Sequence, residues 1–249
     1  LIRLRQAAIN PALLMAPISD LDRKNLESPE RLPSGDPHDK EYAGISDRAL
    51  IDMINEYQDK NVPPKFLKAK EVIDKICSDS NEKVIIWTIF IANAKSLQSY
   101  LLSEGIDSRL LIGEVDTSTR EDVINRFNNP ENEDFRVVIA NPFSVAESIS
   151  LHKGCHNALY IERDYNCANF AQSKDRIHRF GLPEGQKTNY YYLLSEDSVD
   201  EHIHQRLLDK MELMEKAIDQ EIPLFNNVGD RDDANSFVTE ALRRYKSTH

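Results

Sequence analysis

The run Lys83-Val84-Ile85-Ile86-Trp87-Thr88-Ile89-Phe90 constrains the fold more than any other part of this chain. It is continuously apolar, β-branched and aromatic, with no alternation that would leave one face in water, so it suits a strand buried on both sides in a parallel sheet. Such a sheet needs helices to cover it, and the sequence supplies them. After Phe90, the residues Ala94, Leu97, Tyr100, Leu101 and Leu102 recur at helical spacing until Glu104-Gly105, a suitable C-cap. Ser108 to Ile112 reads as a second strand. Ser118-Thr119-Arg120-Glu121 fits a capping box before a helix carrying Val123, Ile124 and Phe127. Arg136 to Ala140, Asn157 to Ile161 and Asn189 to Leu194 complete five strand candidates separated by helices. The prediction is an α/β fold, a mainly parallel sheet flanked by helices with right-handed crossovers. Ligands of such sheets sit at the carboxyl ends of the strands.

The flanks are less regular. Residues 1 to 15 look like the end of a helix stopped at Asn10-Pro11, followed by an apolar anchor. Residues 17 to 43 carry Pro17, Pro29, Pro33, Gly35 and Pro37 amid charge, the composition of a linker or mobile loop. Helical spacing returns at Ala49, Leu50, Met53, Ile54 and Tyr57, and again at Phe66, Leu67, Val72, Ile73 and Ile76. Ser198-Val199-Asp200-Glu201 is a second capping box, opening a long helix striped by Val199, Ile203, Leu207, Met211, Met214 and Ile218. An acidic loop and a short helix from Phe237 to Tyr245 would follow. These features divide the chain into a leading segment (1–80), the sheet domain (81–197) and a helical extension (198–249).

Charge and cysteine content narrow the function classes. A net charge of -11 argues against a generally basic nucleic-acid surface. The acidity is uneven, with 7 Lys and Arg against 13 Asp and Glu from Ser195 onward, whereas residues 163–187 hold 5 basic and 3 acidic residues. Any polyanion would be met there. Three cysteines, Cys77, Cys155 and Cys167, form no disulfide framework, and His152-Lys153-Gly154-Cys155-His156 lacks the second ligand pair of a structural zinc site. No metal site is expected, and no run of eighteen apolar residues marks a membrane span. The first residues lack both an initiator Met and an apolar signal core, as in a soluble piece of a longer protein.

Within the basic region, Gln172 to Gly181 reads as one helix ending on glycine. Helical geometry would then project Gln172, Arg176 and Arg179 from one face. Two guanidiniums one turn apart can clamp a polyphosphate, and the stretch alone equally allows a solvated face with Asp175 pairing locally. Gly181 to Thr188 mimics a phosphate loop but fails on spacing and context, because its lysine does not follow the second glycine and it leaves a helix for a strand. With no other phosphate loop in the chain, nucleotide chemistry at these arginines needs partners from another domain.

Taken in order, these motifs resemble the second RecA-like lobe of Swi/Snf-type superfamily 2 helicase-like ATPases, which are double-stranded DNA translocases. Leu4-Arg5-Gln6 with Asn10-Pro11 resembles the lobe-joining segment, and Lys83 to Phe90 resembles motif IV. Arg109 to Gly113 with Arg120 and Arg126-Phe127-Asn128 resembles the stretch that follows. Ala146 to Leu151 stands at motif V, and Gln172 to Gly181 matches motif VI. The resemblance implies that Arg176 and Arg179 are arginine fingers reaching the γ-phosphate of ATP, with ATP and Mg2+ bound mainly by a first lobe outside this chain. It places Gln172 and Ser148 beside the nucleotide, and Thr88, Lys95, Ser144 and Ser150 on the DNA backbone. The implied partners are double-stranded DNA and the first RecA-like lobe. A location in the bacterial cytoplasm, or in a nucleus, goes with that role.

The match is divergent. Ala146, Ser148 and Asn141-Pro142 replace the usual glycines and Ser-Thr pair of motif V, and Tyr165 and Cys167 replace the Trp and Pro of the family's turn after the fourth strand. Two further readings stay open: a non-catalytic module whose acidic C-terminal helices dock a protein partner, and, less favoured, a processive strand separator.

Overall fold

The computed structural model describes residues 2–15, 48–79, 82–144, 149–178, 182 and 185–218. The expected mobile loop at 17–43 and the terminal helix at 237–245 lie outside the described residues.

Helix α1 (Ile2–Ile9) ends where Asn10-Pro11 stops it, and Asn10 caps a 3-10 turn over Pro11–Leu14 by accepting from the Ala12 amide at 3.1 Å. Two helices, α2 (Arg48–Lys60) and α3 (Pro64–Asp74), follow, the second continued by a π-helical turn at Lys75–Asp79. Then come β1 (Val84–Trp87), α4 (Ile91–Ser103), β2 (Ser108–Leu111), α5 (Thr117–Asn128), β3 (Val137–Ala140), β4 (Asn157–Tyr160), α6 (Cys167–Lys174), β5 (Asn189–Tyr192) and α7 (Val199–Ile218). All five strands are parallel and lie in the order β2-β3-β1-β4-β5. The apolar run that anchors the sequence is therefore the central strand, with all four residues buried.

Because side chains alternate across a strand, each face of this sheet builds its own core. Ile85 and Trp87, with Val138, Ala140, Ala158 and Tyr160, pack against Val123 and Phe127 of α5, Phe170 of α6 and Val199, Ile203 and Leu207 of α7. On the opposite face Val84, Ile86, Val137, Ile139 and Leu159 meet Ile9 of α1, Phe66, Ala69 and Ile73 of α3, and Ala94, Leu97 and Leu101 of α4. The result is three layers. Of the expected stripe on α2 only Ile54 is buried, while Met53 is 66% exposed.

Helix ends show where local chemistry was read well and where it was not. Gly105 takes φ +78°, and the Ile106 and Gly105 amides donate to Leu101 and Leu102, the reciprocal bonds that close a helix through a left-handed glycine. At α5 the cap is Asp116, not Ser118. Its Oδ1 accepts from the Thr119 amide at 2.9 Å and from the Ser118 hydroxyl at 2.7 Å, which together hold that carboxyl below its usual range. Ser198 opens α7, its hydroxyl accepting from the Asp200 amide at 3.1 Å. Cys155 is a core residue: its thiol donates to the Asn157 carbonyl at 3.2 Å, and burial pushes its pKa up to about 12.

Candidate functional site

The last paired row of the sheet is Leu111, Ala140, Trp87, Tyr160 and Tyr192, so the carboxyl edge begins one residue later, at Asn141, Thr88 and Ile161 among others. Its centre is Glu162, 4% exposed. Oε1 accepts from the Thr88 hydroxyl, from the Ile89 amide at 2.8 Å and from the Phe90 amide at 3.3 Å; Oε2 accepts from Asn93 Nδ2 at 3.3 Å. Burial nevertheless pushes its pKa up. Thr88 is thus turned inward and fully buried. The sequence expectation of a DNA-facing hydroxyl there is corrected: strand β1 stops at Trp87, and Thr88 serves a carboxylate 74 residues on.

Charge beside Glu162 is also enclosed. Lys65, on α3, donates to the Ile161 carbonyl at 2.8 Å and to Asp200 of α7, whose carboxylate also accepts from the Ser195 amide at 3.0 Å. Arg163 lies over the Tyr192 ring at 4.6 Å, and burial lowers its pKa. Arg5 donates to the Arg163 carbonyl and to Asp164, both at 3.3 Å, fastening α1 to the same edge.

On the other side of β1 the ties are weaker. Asn141 donates to the Ile89 carbonyl and accepts from the Phe143 amide at 2.9 Å. Arg120 reaches the carbonyls of Ile112 (3.2 Å), Val115 (3.3 Å) and Ser144 (3.4 Å). Ser144 is half-buried at this opening. Lys95, on α4, is exposed and pairs with Glu114 at 2.6 Å.

The arginine stretch differs from its expected geometry. Helix α6, capped by Asn166, ends at Lys174, and the chain continues through a tight turn in which Arg176 and Ile177 donate to Ser173 and Lys174. Arg176 and Ile177 are both buried, while Gln172 is exposed. Tertiary bonds explain the early stop. The Leu151 amide donates to the Arg176 carbonyl at 2.8 Å, and Arg176 Nη1 donates to the Ile149 carbonyl at 3.2 Å. Ser150 lies between, its hydroxyl 2.6 Å from His152 Nδ1. Of the expected site residues, the structure brings Arg176 and Ser150 together and leaves Lys95 and Ser144 along the edge. Arg179 and Ser148 lie outside the described residues.

Lys65 and Asp200 carried no signal as site residues, and Asn141 was marked only as a departure at motif V. The donors to Glu162 come from the end of β1 and from α4, and no local spacing reports them.

Comparison with known proteins agrees with this architecture. Residues 66–181 match the helicase conserved C-terminal domain. The chain is 28% identical over 171 residues to the DNA repair and recombination protein RAD54-like of Gallus gallus, covering 66% of this chain and 22% of that protein. It is 26% identical over 145 residues to the ATP-dependent helicase FUN30 of Saccharomyces cerevisiae, covering 58% of this chain and 12% of FUN30. The chain thus spans under a quarter of the length of these relatives. The crystal structure of the C-terminal part of the Fun30 ATPase domain superposes with a TM-score of 0.59 at 22% identity, over 82% of this chain and 70% of that one. That likeness shows a RecA-like lobe. Residues 66–181 therefore carry a match to the helicase conserved C-terminal domain, and over that region the chain is similar to these ATP-dependent helicase and DNA-repair proteins.

Proposed function

We propose that this chain is the second motor lobe of an ATP-dependent double-stranded DNA translocase. The observation that carries the reading is Arg176, a buried arginine whose guanidinium donates to the Ile149 carbonyl and whose own carbonyl accepts from the Leu151 amide, beside the motif V position. A guanidinium is always charged and presents planar paired donors, so it suits phosphate oxygens. Arg176, with Arg179, would offset charge that develops on the transferring phosphoryl group, which is a transition-state interaction. ATP would supply that phosphoryl group, and Mg2+ would add neutralising positive charge to it. Both would be held mainly by a first lobe outside this chain.

DNA would ride the open part of the carboxyl edge. Lys95 offers charge there and Ser144 a hydroxyl and an amide, while Ser150, apart from the edge and beside Arg176, offers a further hydroxyl; such contacts grip phosphates without reading sequence. Thr88 and Glu162 hold the edge in shape.

The test is ATP turnover by the full-length protein with and without double-stranded DNA. Arg176→Ala and Arg179→Ala should each lower kcat by roughly a thousandfold while ATP affinity changes little. Turnover that survives both substitutions ends the reading. One observation favours a second reading, in which α7 docks a protein: Leu208, Leu213 and Met214 are 46%, 45% and 42% exposed on that helix. In that case, a non-catalytic module, Leu208→Lys would break a complex and the full-length protein would show no DNA-stimulated turnover.

A further inference from the structure

Asn128 ends α5, and none of the roles above includes it. Its Nδ2 donates to the Ser150 carbonyl at 2.6 Å. Residues 149–151 form a strap whose outer members are both tied to Arg176, Ile149 through its carbonyl to the guanidinium and Leu151 through its amide to the Arg176 carbonyl. Past the strap, the chain presses on the end of α5. A Cβ on Gly154 would lie 2.2 Å from the Phe127 carbonyl oxygen and 2.8 Å from Asn128 Cα, an approach only glycine allows. The end of α5, the strap and the arginine turn are therefore one connected set. The Oδ1 of Asn128 is buried with no hydrogen-bond partner among the described residues. Burying an amide at half its bonding capacity is a cost that calls for a reason.

We propose that Asn128 is a positioning residue for Arg176: it fixes the strap, and the strap fixes the guanidinium for the nucleotide. This rests on the reading that Arg176 serves ATP turnover. A long arginine side chain has many rotamers, and a group acting only in the transition state loses rate when it is held loosely. Asn128 would reach the reaction only through Ser150 and Arg176. That makes its effect separable from general stability.

The experiment measures DNA-stimulated ATP turnover of the full-length protein for Asn128→Ala and the isosteric Asn128→Asp, each alone and combined with Arg176→Ala. Asn128→Asp keeps the side-chain shape, so it serves if Asn128→Ala does not fold. Both single variants should lose roughly tenfold to a hundredfold in kcat with KM for ATP unchanged. Neither should lower the residual rate of Arg176→Ala further. Equal losses in both backgrounds mean a merely structural role and overturn the proposal, as does an unchanged or raised kcat in the single variants. If Arg176→Ala itself turns over ATP like the wild type, the ATP reading has failed. The strap is then judged by hydrogen exchange at the Leu151 amide, which must lose protection in Asn128→Ala; unchanged protection overturns it too.

Discussion

The carboxyl edge of this sheet is held by two kinds of chemistry on the two sides of β1. Toward β4, water is shut out by α1, α3 and α7, and the ties are charged: the Lys65–Asp200 pair, with both side chains 6% exposed, and Glu162 with its four donors. Toward β3 the ties are dipoles or half-exposed donors, Asn141 and Arg120, aimed at backbone carbonyls. A buried charge is tolerated only with its partner in place, so the first side tolerates little change. The half-buried Val115 and Ser144 carbonyls can exchange one donor for another at small cost, so the part of the second side where Ser144 lies can move.

The sharpest way to break this contrast is to remove one member from each side. Asp200→Ala leaves the Lys65 ammonium buried without its carboxylate and should cost about 3 to 5 kcal/mol in urea unfolding. Arg120→Ala should cost about 1 to 2 kcal/mol, because two of the three residues whose carbonyls it leaves, Val115 and Ser144, are only half-buried. The double change Lys65→Met with Asp200→Leu should recover most of the first loss, since an apolar pair of similar size needs no partner. Similar losses for Asp200→Ala and Arg120→Ala would mean that the two sides are held alike.

What could be read from the sequence follows the same divide between local and distant causes. Strands β1, β3 and β4 were legible because each is a short, mainly apolar run buried at all four positions, and the less buried edge strands β2 and β5 were legible by Leu110-Leu111 and Tyr190 to Tyr192. The Gly105 helix stop was legible because one glycine suffices. The reach of helix α6 was not: its end is set by Leu151 bonding Arg176 and by burial of Ile177, and neither partner lies nearby in sequence. Thr88 misled for the same reason. Its run stays apolar to Phe90, and nothing between them announces that Glu162 will claim the hydroxyl. At α5 the evidence was local but ambiguous, since Asp116 and Ser118 are both good caps and only the backbone chooses. Asn128 had no signature beyond its place after Arg126-Phe127, because its role depends on a strap 22 residues away.

A second, smaller effect should appear as a pH dependence confined to the charged side. Burial raises the pKa of Glu162 above its unfolded value, so between those two values the native protein binds more protons than the unfolded chain. Stability from this group is therefore present at acid pH and lost as pH rises through the native pKa. Glu162→Gln removes that titration and points an NH2 donor at Asn93 Nδ2, costing about 1 to 2 kcal/mol. The gap between wild type and Glu162→Gln should widen as pH falls from 7 toward 5. Paired urea titrations at the two values check it, and a gap that narrows would mean that the hydrogen bonds to the carboxylate outweigh its desolvation.

The smallest change in stability belongs to the open side, and there function should be the larger signal. Lys95 and Glu114 are 51% and 55% exposed, and a pair so well solvated contributes about 0.5 kcal/mol or less. Lys95→Ala should therefore leave the unfolding midpoint nearly where it was. If DNA rides this edge, the same substitution removes one phosphate contact, so affinity for duplex DNA should fall alike on all sequences. The slope of log affinity against log salt should drop by about one. Glu114→Gln should have the opposite sign, freeing Lys95 and removing a repelling carboxylate while leaving the fold as stable as before. A salt slope unmoved by either substitution would place the DNA elsewhere and leave the looseness of the β3 side without a ligand to explain it.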